Sequence, residues 1–542
     1  MLRLALCFLT LTAACSMPRL LLPDPPATVP ELTGHRRTST HAEVMEFLAA
    51  VDAAGDRRVF ITRFGATPEG RAQPLVVIAD PPVRDAAEAR ASGKPVVWIN
   101  ANIHAGEVEG KEAVLALIRE VVWGPEPWPV EDVVVLMAPI YNADGNDRMA
   151  PKNRPLQQGP SNPGQRASSL GLDLNRDGLK LENLEARNLT RALVEWDPHV
   201  FVDLHTTNGS AHGYELTYAP PLTPSAHPEL LAELNSRWLP ELRARMRERH
   251  GFETFDYGNF MSDGAHEFVD EVDLVKGWRT YDHRPRFVTN ATGLRNRLAI
   301  LSEAYSYADF RTRIAATRAY VMEIIGYAAE QGPALPALCA RLDEDTRVLA
   351  REGALTQHVE AEIALRGVEP LLLRGFELGR DPETGEEWRV ASGPRTTIEV
   401  PIYAGFTAKR SVTAPRAYVL GPELASVAAL LRVHGVLVED VKTPFESEVT
   451  VFRLRSAKRA PQAFQGHHER SAEWQLLTET VRIPAGAFRV DLDQPSARLI
   501  FQLVDPRADD GCLTWNFYDR WLDSGAGVEL PLYGVAHHGS KP

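Results

Sequence analysis

The chain has 542 residues, more than one hydrophobic core normally serves, so two domains are expected. A hydrophobic fraction of 44% is ordinary for a soluble protein, and a net charge of −13 argues against nucleic acid or an anionic membrane surface as partner. Past the N-terminus no second long apolar run occurs, so no span of the mature protein is expected.

Residues 1–15 read as a secretory signal. Met1-Leu2-Arg3 gives a positive start, Leu4 to Leu11 an apolar core, and Thr12-Ala13-Ala14 small residues before Cys15. Those small residues resemble a bacterial lipoprotein cleavage site, although its usual leucine is displaced by one position, to Leu11. The expected location is secreted or periplasmic, with membrane anchoring only through a lipidated Cys15.

Buried-strand runs then occur at 75–79, 96–103, 133–137, 200–204 and 298–301. Between them, Val114, Leu117, Ile118 and Val121 keep helical spacing over 111–123. A second helix is predicted over 229–250, stopped by Gly251 and kinked or broken at Pro240. Pro/Gly-rich loops at 151–164 and 220–228 are placed to wall a cleft. Strands alternating with helices predict an α/β domain over 30–335, a mixed, largely parallel sheet covered by helices. From 336 to 542 a β-rich mixed accessory domain is expected. It begins in a helix over 335–354. Strands at 395–400, 450–454, 497–503 and 515–517 follow, with a helix over 423–434 stopped by Gly435.

Three of the apolar runs end in metal-ligand chemistry. His104-Ala105-Gly106-Glu107 follows the first, and an imidazole and a carboxylate at this spacing can grip one cation. A catalytic zinc usually has three protein ligands and one open position, so a third ligand and a base are sought elsewhere. His205, after Val200-Phe201-Val202-Asp203-Leu204, is the candidate ligand, and Glu303, after Leu298-Ala299-Ile300-Leu301-Ser302, the candidate base. Sites in open α/β sheets form outside the carboxyl ends of strands, which suits all three placements.

Leu172-Asp173-Leu174-Asn175-Arg176 resembles the Asp-x-Asn-Arg segment of the zinc carboxypeptidases, the carboxypeptidase A-like metallopeptidases of bacterial secreted or lipoprotein type. The family order of HxxE, Asn-Arg, His and Glu is matched by His104/Glu107, Asn175/Arg176, His205 and Glu303 over roughly residues 40 to 330. The resemblance implies one Zn²⁺ held by His104, Glu107 and His205. It makes Glu303 the base that takes a proton from zinc-bound water and hands it to the leaving amine. Asn175 and Arg176 become the grip on a terminal carboxylate, and Asp173 the carboxylate that orients a ligand histidine. Tyr281 resembles the mobile tyrosine that closes over substrate. Arg154 is assigned the oxyanion side, with Arg148 and Arg166 as alternatives. Thr206-Thr207-Asn208 after His205, and Asp177 after Arg176, depart from the commoner residues, which leaves side-chain preference open. A specificity position falls near Val288.

These features imply a zinc metallocarboxypeptidase acting on a peptide or protein with a free C-terminal carboxylate. A zinc amidase or deacylase trimming cell-wall peptides is the rival on the same scaffold. A peptide-binding lipoprotein without catalysis is the third reading, which an intact Glu303 disfavours. Cys339 and Cys512 are read as two buried thiols, with a disulfide as the alternative. The pairs His467-His468 and His537-His538 are read as incidental.

Overall fold

The computed structural model describes residues 23–125, 128–208, 210–260 and 271–537. The expected signal segment, Cys15 and His538 lie outside the described residues.

The central sheet is mixed. Its strands are β1 (Val59–Ala66), β2 (Ala72–Ile78), β3 (Val96–Ala101), β4 (Val134–Ala138), β5 (Val200–Thr206), β6 (Leu216–Ala219), β7 (Thr254–Asp256) and β8 (Leu298–Ala304), in spatial order β1-β2-β4-β3-β5-β8-β6-β7. The middle pairs β4/β3, β3/β5 and β5/β8 are parallel, while β1/β2, β2/β4 and β8/β6 are antiparallel. β3, β4, β5 and β8 are buried along their whole length, which is why they read as continuous apolar runs rather than as alternation.

Successive residues nevertheless go to opposite faces. Val97, Ile99, Val135, Val202 and Ile300 pack beneath helices that include α1 (His41–Ala53), α2 (Glu109–Trp123) and α3 (Phe310–Gln331). Trp98, Leu136, Phe201 and Ala299 join the core that contains Leu189, Ala192 and Trp196. The α/β expectation holds, with helices on both faces.

The segment 229–250 is a helix Pro228–Glu233, a π-turn Leu234–Trp238 and a helix Leu239–His250. Pro240 sits in the first turn of the last piece, where a missing N–H costs nothing. The interruption therefore falls before the proline rather than at it.

The C-terminal region is β-rich. Long antiparallel pairs join β9 (Thr356–Ala364) to β12 (Gly405–Thr413), and β10 (Gly367–Arg380) to β11 (Glu387–Tyr403). A six-stranded sheet follows, built around Phe445–Arg459 and Arg470–Ile483. The core beneath it also takes in Leu179, Leu181, Ala186 and Leu294, so it is continuous with the α/β part. The helix Ala334–Glu352 spans both, with Leu338 and Leu342 in one core and Ala350 in the other.

Two expected strands fail. Residues 497–503 lie in the helix Ala497–Val504, whose eight residues are all buried. Its two polar residues, Arg498 and Gln502, stand four apart as a helix places them, but the run is short and otherwise apolar, and periodicity alone does not separate such a run from a buried strand. Residues 515–517 form a turn in which Trp515 meets the Arg286 guanidinium at 4.6 Å and the Lys180 ammonium at 5.1 Å. Aromatic content reflected that tertiary contact rather than strand pairing. Cys339 and Cys512 are both buried and unpaired.

Candidate active site

The parallel register brings the chemistry together. Ala101 lies opposite Leu204, and Glu303 opposite His205, so three carboxyl ends of strands open at one edge. β3 ends where Asn102 turns left-handed at φ 67°, a conformation asparagine tolerates. The turn behind it is closed by the Glu107 N–H on the His104 carbonyl, at 2.9 Å. A Cβ on Gly106 would stand 2.5 Å from Arg154 Cγ, so this position must be glycine for Arg154 to lie against the turn.

His104 Nδ1 is 3.0 Å from Glu107 Oε1, and His205 Nδ1 is 3.0 Å from Glu107 Oε2 and 3.2 Å from His104 Nδ1. All three side chains are buried. The far nitrogen of each ring faces a carboxylate. His104 Nε2 meets Asp173 Oδ1 at 3.0 Å, and His205 Nε2 meets Asp203 Oδ2 at 2.8 Å. Asp203 is held in turn by Asn100 Nδ2 at 2.9 Å. A carboxylate on Nε2 keeps the proton there and leaves the Nδ1 lone pair to bind a cation, which raises ligand basicity. A tetrahedral zinc with bonds of about 2.0–2.2 Å sets its donors roughly 3.4 Å apart. Two neutral imidazoles and a carboxylate at these separations fit zinc.

Asp203 was not assigned a role from the sequence. The signal was present, because residues i and i+2 of a strand share a face and Asp203 precedes His205 by two. Replacing Asp203 with asparagine is expected to weaken zinc binding by about 10- to 100-fold, measured by competition with a chromophoric chelator. Unchanged affinity would remove Asp203 from this role.

Glu303 points into the same space, and its Oε2 is buried with no hydrogen-bond partner among the described residues. Burial pushes its carboxyl upward and the neighbouring Glu107 charge adds to this, against His205, Arg154 and Arg166. Burial also opposes ionisation of Glu107, yet His104 and Arg154 hold it well below the usual carboxylate range. The two acids are thus driven apart, one toward the ionised ligand and the other toward proton exchange.

The candidate arginines separate. Arg148 is bound to Glu69, away from the cluster. Arg154 reaches Glu107 Oε1 at 3.0 Å, but its Nη2 donates to the Thr206 and Thr207 carbonyls, both at 3.1 Å. Arg166 touches Glu107 Oε1 at 3.2 Å and Asp173 Oδ2 at 3.0–3.1 Å, and its side chain is 37% exposed against 12% for Arg154.

Asn175, Arg176, Tyr281 and Val288 form one wall. Asn175 Oδ1 accepts the Val288 N–H at 3.0 Å, and the Arg176 guanidinium lies 4.1 Å over the Phe287 ring. The Tyr281 ring meets Phe287 edge-on at 4.9 Å, and its phenol is pushed upward by burial and by the Glu303 charge. Asp173 accepts from the Asn175 N–H at 2.8 Å and so ties this wall to His104. From the C-terminal region, Gln465 Oε1 accepts the Asp173 N–H at 2.7 Å. No local pattern around Gln465 signals that contact. Of the incidental histidines, His467 pairs with Glu182 at 2.6 Å.

Residues 44–208 match the family model described as zinc carboxypeptidase. These residues form a zinc carboxypeptidase domain. This metallocarboxypeptidase is 23% identical over 483 residues to carboxypeptidase 2 of Trichophyton tonsurans, covering 86% of this chain and 81% of that protein. To carboxypeptidase 2 of Trichophyton rubrum it is 22% identical, with 86% and 80% covered. Among solved structures, a metallo-carboxypeptidase from Burkholderia cenocepacia matches 53% of this chain and 69% of its own, at 17% identity and TM-score 0.38. Carboxypeptidase A from Helicoverpa armigera matches 55% and 75%, at 14% identity and TM-score 0.39.

Proposed function

We propose that the enzyme removes C-terminal residues from peptides, with a zinc held by His104, Glu107 and His205 and with Glu303 as general base. The observation that carries this reading is the buried, unpartnered Glu303 Oε2 beside the His/Glu/His cluster, with Asn175 and Arg176 on the adjoining wall. Zinc bound there lowers the pKa of water from 15.7 to roughly 7 and polarises the scissile carbonyl. Glu303 takes a proton from the attacking water and returns it to the leaving nitrogen, and its raised affinity for protons suits both transfers. Asp173 and Asp203 hold the two imidazoles in place during the reaction. We assign the oxyanion side to Arg166 in preference to Arg154, since the Arg154 fork is committed to two backbone carbonyls and Arg166 is the more open.

Arg176 presents a planar fork to a substrate carboxylate, stiffened by the Phe287 ring. Arg176→Lys keeps the charge and loses the fork, so KM is expected to rise about tenfold or more, with kcat changing less. Mass spectrometry of a mixed peptide library tests the whole reading. Ladders losing single C-terminal residues, absent with Glu303→Gln, are the expected result. Internal cuts would overturn the carboxylate grip, and cleavage confined to cell-wall peptides would transfer the site to an amidase.

A further inference from the structure

A second cluster of metal-ligating side chains lies outside the cleft. His283 stands two residues beyond Tyr281, His358 lies in β9, and Asp509 follows the helix Ala497–Val504. One donor atom from each lies within 4.8 Å of the other two. His283 is 7% and His358 2% exposed. Their rings meet at 62° with centroids 5.5 Å apart, close to the 64° and 4.9 Å of the His104/His205 pair.

Two atoms facing one another have no partner. His358 Nε2 and Asp509 Oδ1 are buried, 4.0 Å apart and without a hydrogen bond among the described residues. A buried donor or acceptor left unpaired points to an ion or water that completes it. We propose that His283, His358 and Asp509 form a second metal site, taking zinc or a comparable borderline divalent ion, with water completing the shell.

The donor set selects the ion class. Two imidazoles and one carboxylate suit zinc and its transition-metal neighbours, whereas calcium and magnesium take oxygen ligands. The separations need modest closure. His283 Nε2 lies 2.8 Å from Asp509 Oδ2 and His358 Nε2 lies 4.0 Å from Asp509 Oδ1, which brackets the roughly 3.4 Å between donors on a tetrahedral zinc. One of the second ring nitrogens is supported. His358 Nδ1 is hydrogen-bonded to Ser225 Oγ, which Gln502 Nε2 reaches at 2.8 Å, whereas His283 Nδ1 lies 3.2 Å from Asp282 Oδ1 but outside hydrogen-bond geometry. Such outer partners fix ring orientation in metal sites. Asp509 lines a surface cavity of about 440 Å³ that provides an entry path and room for water. Six basic residues also line it: Arg284, Arg410, Arg470 and Arg507 have the carboxylate neighbours Asp282, Glu360, Asp519 with Asp523, and Asp505, and Lys458 and Arg459 complete the set.

The location gives the ion a task. Asp510, the next residue, accepts the Arg286 N–H at 2.6 Å and Nε at 2.8 Å. A metal at Asp509 therefore fastens the segment bearing Tyr281 to the C-terminal region.

Metal counting on the stripped and zinc-reloaded full-length protein tests the site. Two equivalents in the wild type, one in His205→Ala, one in His358→Gln and none in the double variant are expected. The zinc-induced rise in Tm that His205→Ala retains should disappear when His358→Gln is added. One equivalent in the wild type and none in His205→Ala would overturn the second site, and His283 and Asp509 would then be an ion pair with water beside His358. One equivalent in the wild type that His358→Gln removes and His205→Ala keeps would support the second site and overturn the catalytic ligand set instead.

Discussion

Glu303→Gln is expected to lower kcat by about 10² to 10⁴-fold while zinc content and KM stay near wild type. The amide keeps the shape of the carboxyl and takes away its proton affinity. Because Glu303 lies opposite His205 in the strand register but outside the His/Glu/His cluster, the metal donors are untouched. Its Oε2 has no partner to lose among the described residues, so the fold should tolerate the change. Steady-state kinetics on a peptide with a free C-terminus, beside metal analysis of the same sample, separates the two effects. A variant retaining most of its kcat would remove Glu303 from the proton transfers.

His205→Ala is expected to abolish activity by removing one of the cluster's three donors. Without the cation, water keeps its bulk pKa near 15.7 and the carbonyl loses its Lewis acid. Wild type stripped by a chelator should match the variant, and added zinc should restore only the wild type. The substitution also takes one partner from the buried Asp203, which retains Asn100 at 2.9 Å. A cost of about 1–3 kcal/mol in stability is expected, readable as a fall of a few degrees in Tm. Activity restored to the variant by zinc would show that His205 is not a ligand.

The candidate site was legible because its residues sit at the ends of apolar runs. His104 and Glu107 follow a buried strand, His205 and Glu303 are the last residue but one of theirs, and parallel pairing delivers such ends to one edge. Asp173 was readable through the family motif, and the fold sets its Oδ1 3.0 Å from His104 Nε2. Asp203 was visible as a same-face neighbour but had no motif to mark it. The arginines were not legible, since Arg148, Arg154 and Arg166 are equally plausible in sequence and differ only in which acceptors surround them.

The C-terminal region was read least well. The helix Ala497–Val504 was mistaken for a strand because a short apolar run reads as either, and only Arg498 and Gln502, four apart, carry its period; Trp515 lies in a turn that its contacts with Arg286 and Lys180 explain.

By itself the amino-acid sequence determined the α/β class, the strand ends, and the order of the candidate ligand and base residues, because backbone periodicity and local chemistry are written in neighbouring positions. Only the tertiary structure decided which nitrogen each histidine turns inward, which arginine stays open, and that Gln465 supports Asp173 from 292 positions away. It alone brought His283, His358 and Asp509 together. Contacts between distant segments depend on how whole elements pack, and no local pattern encodes that.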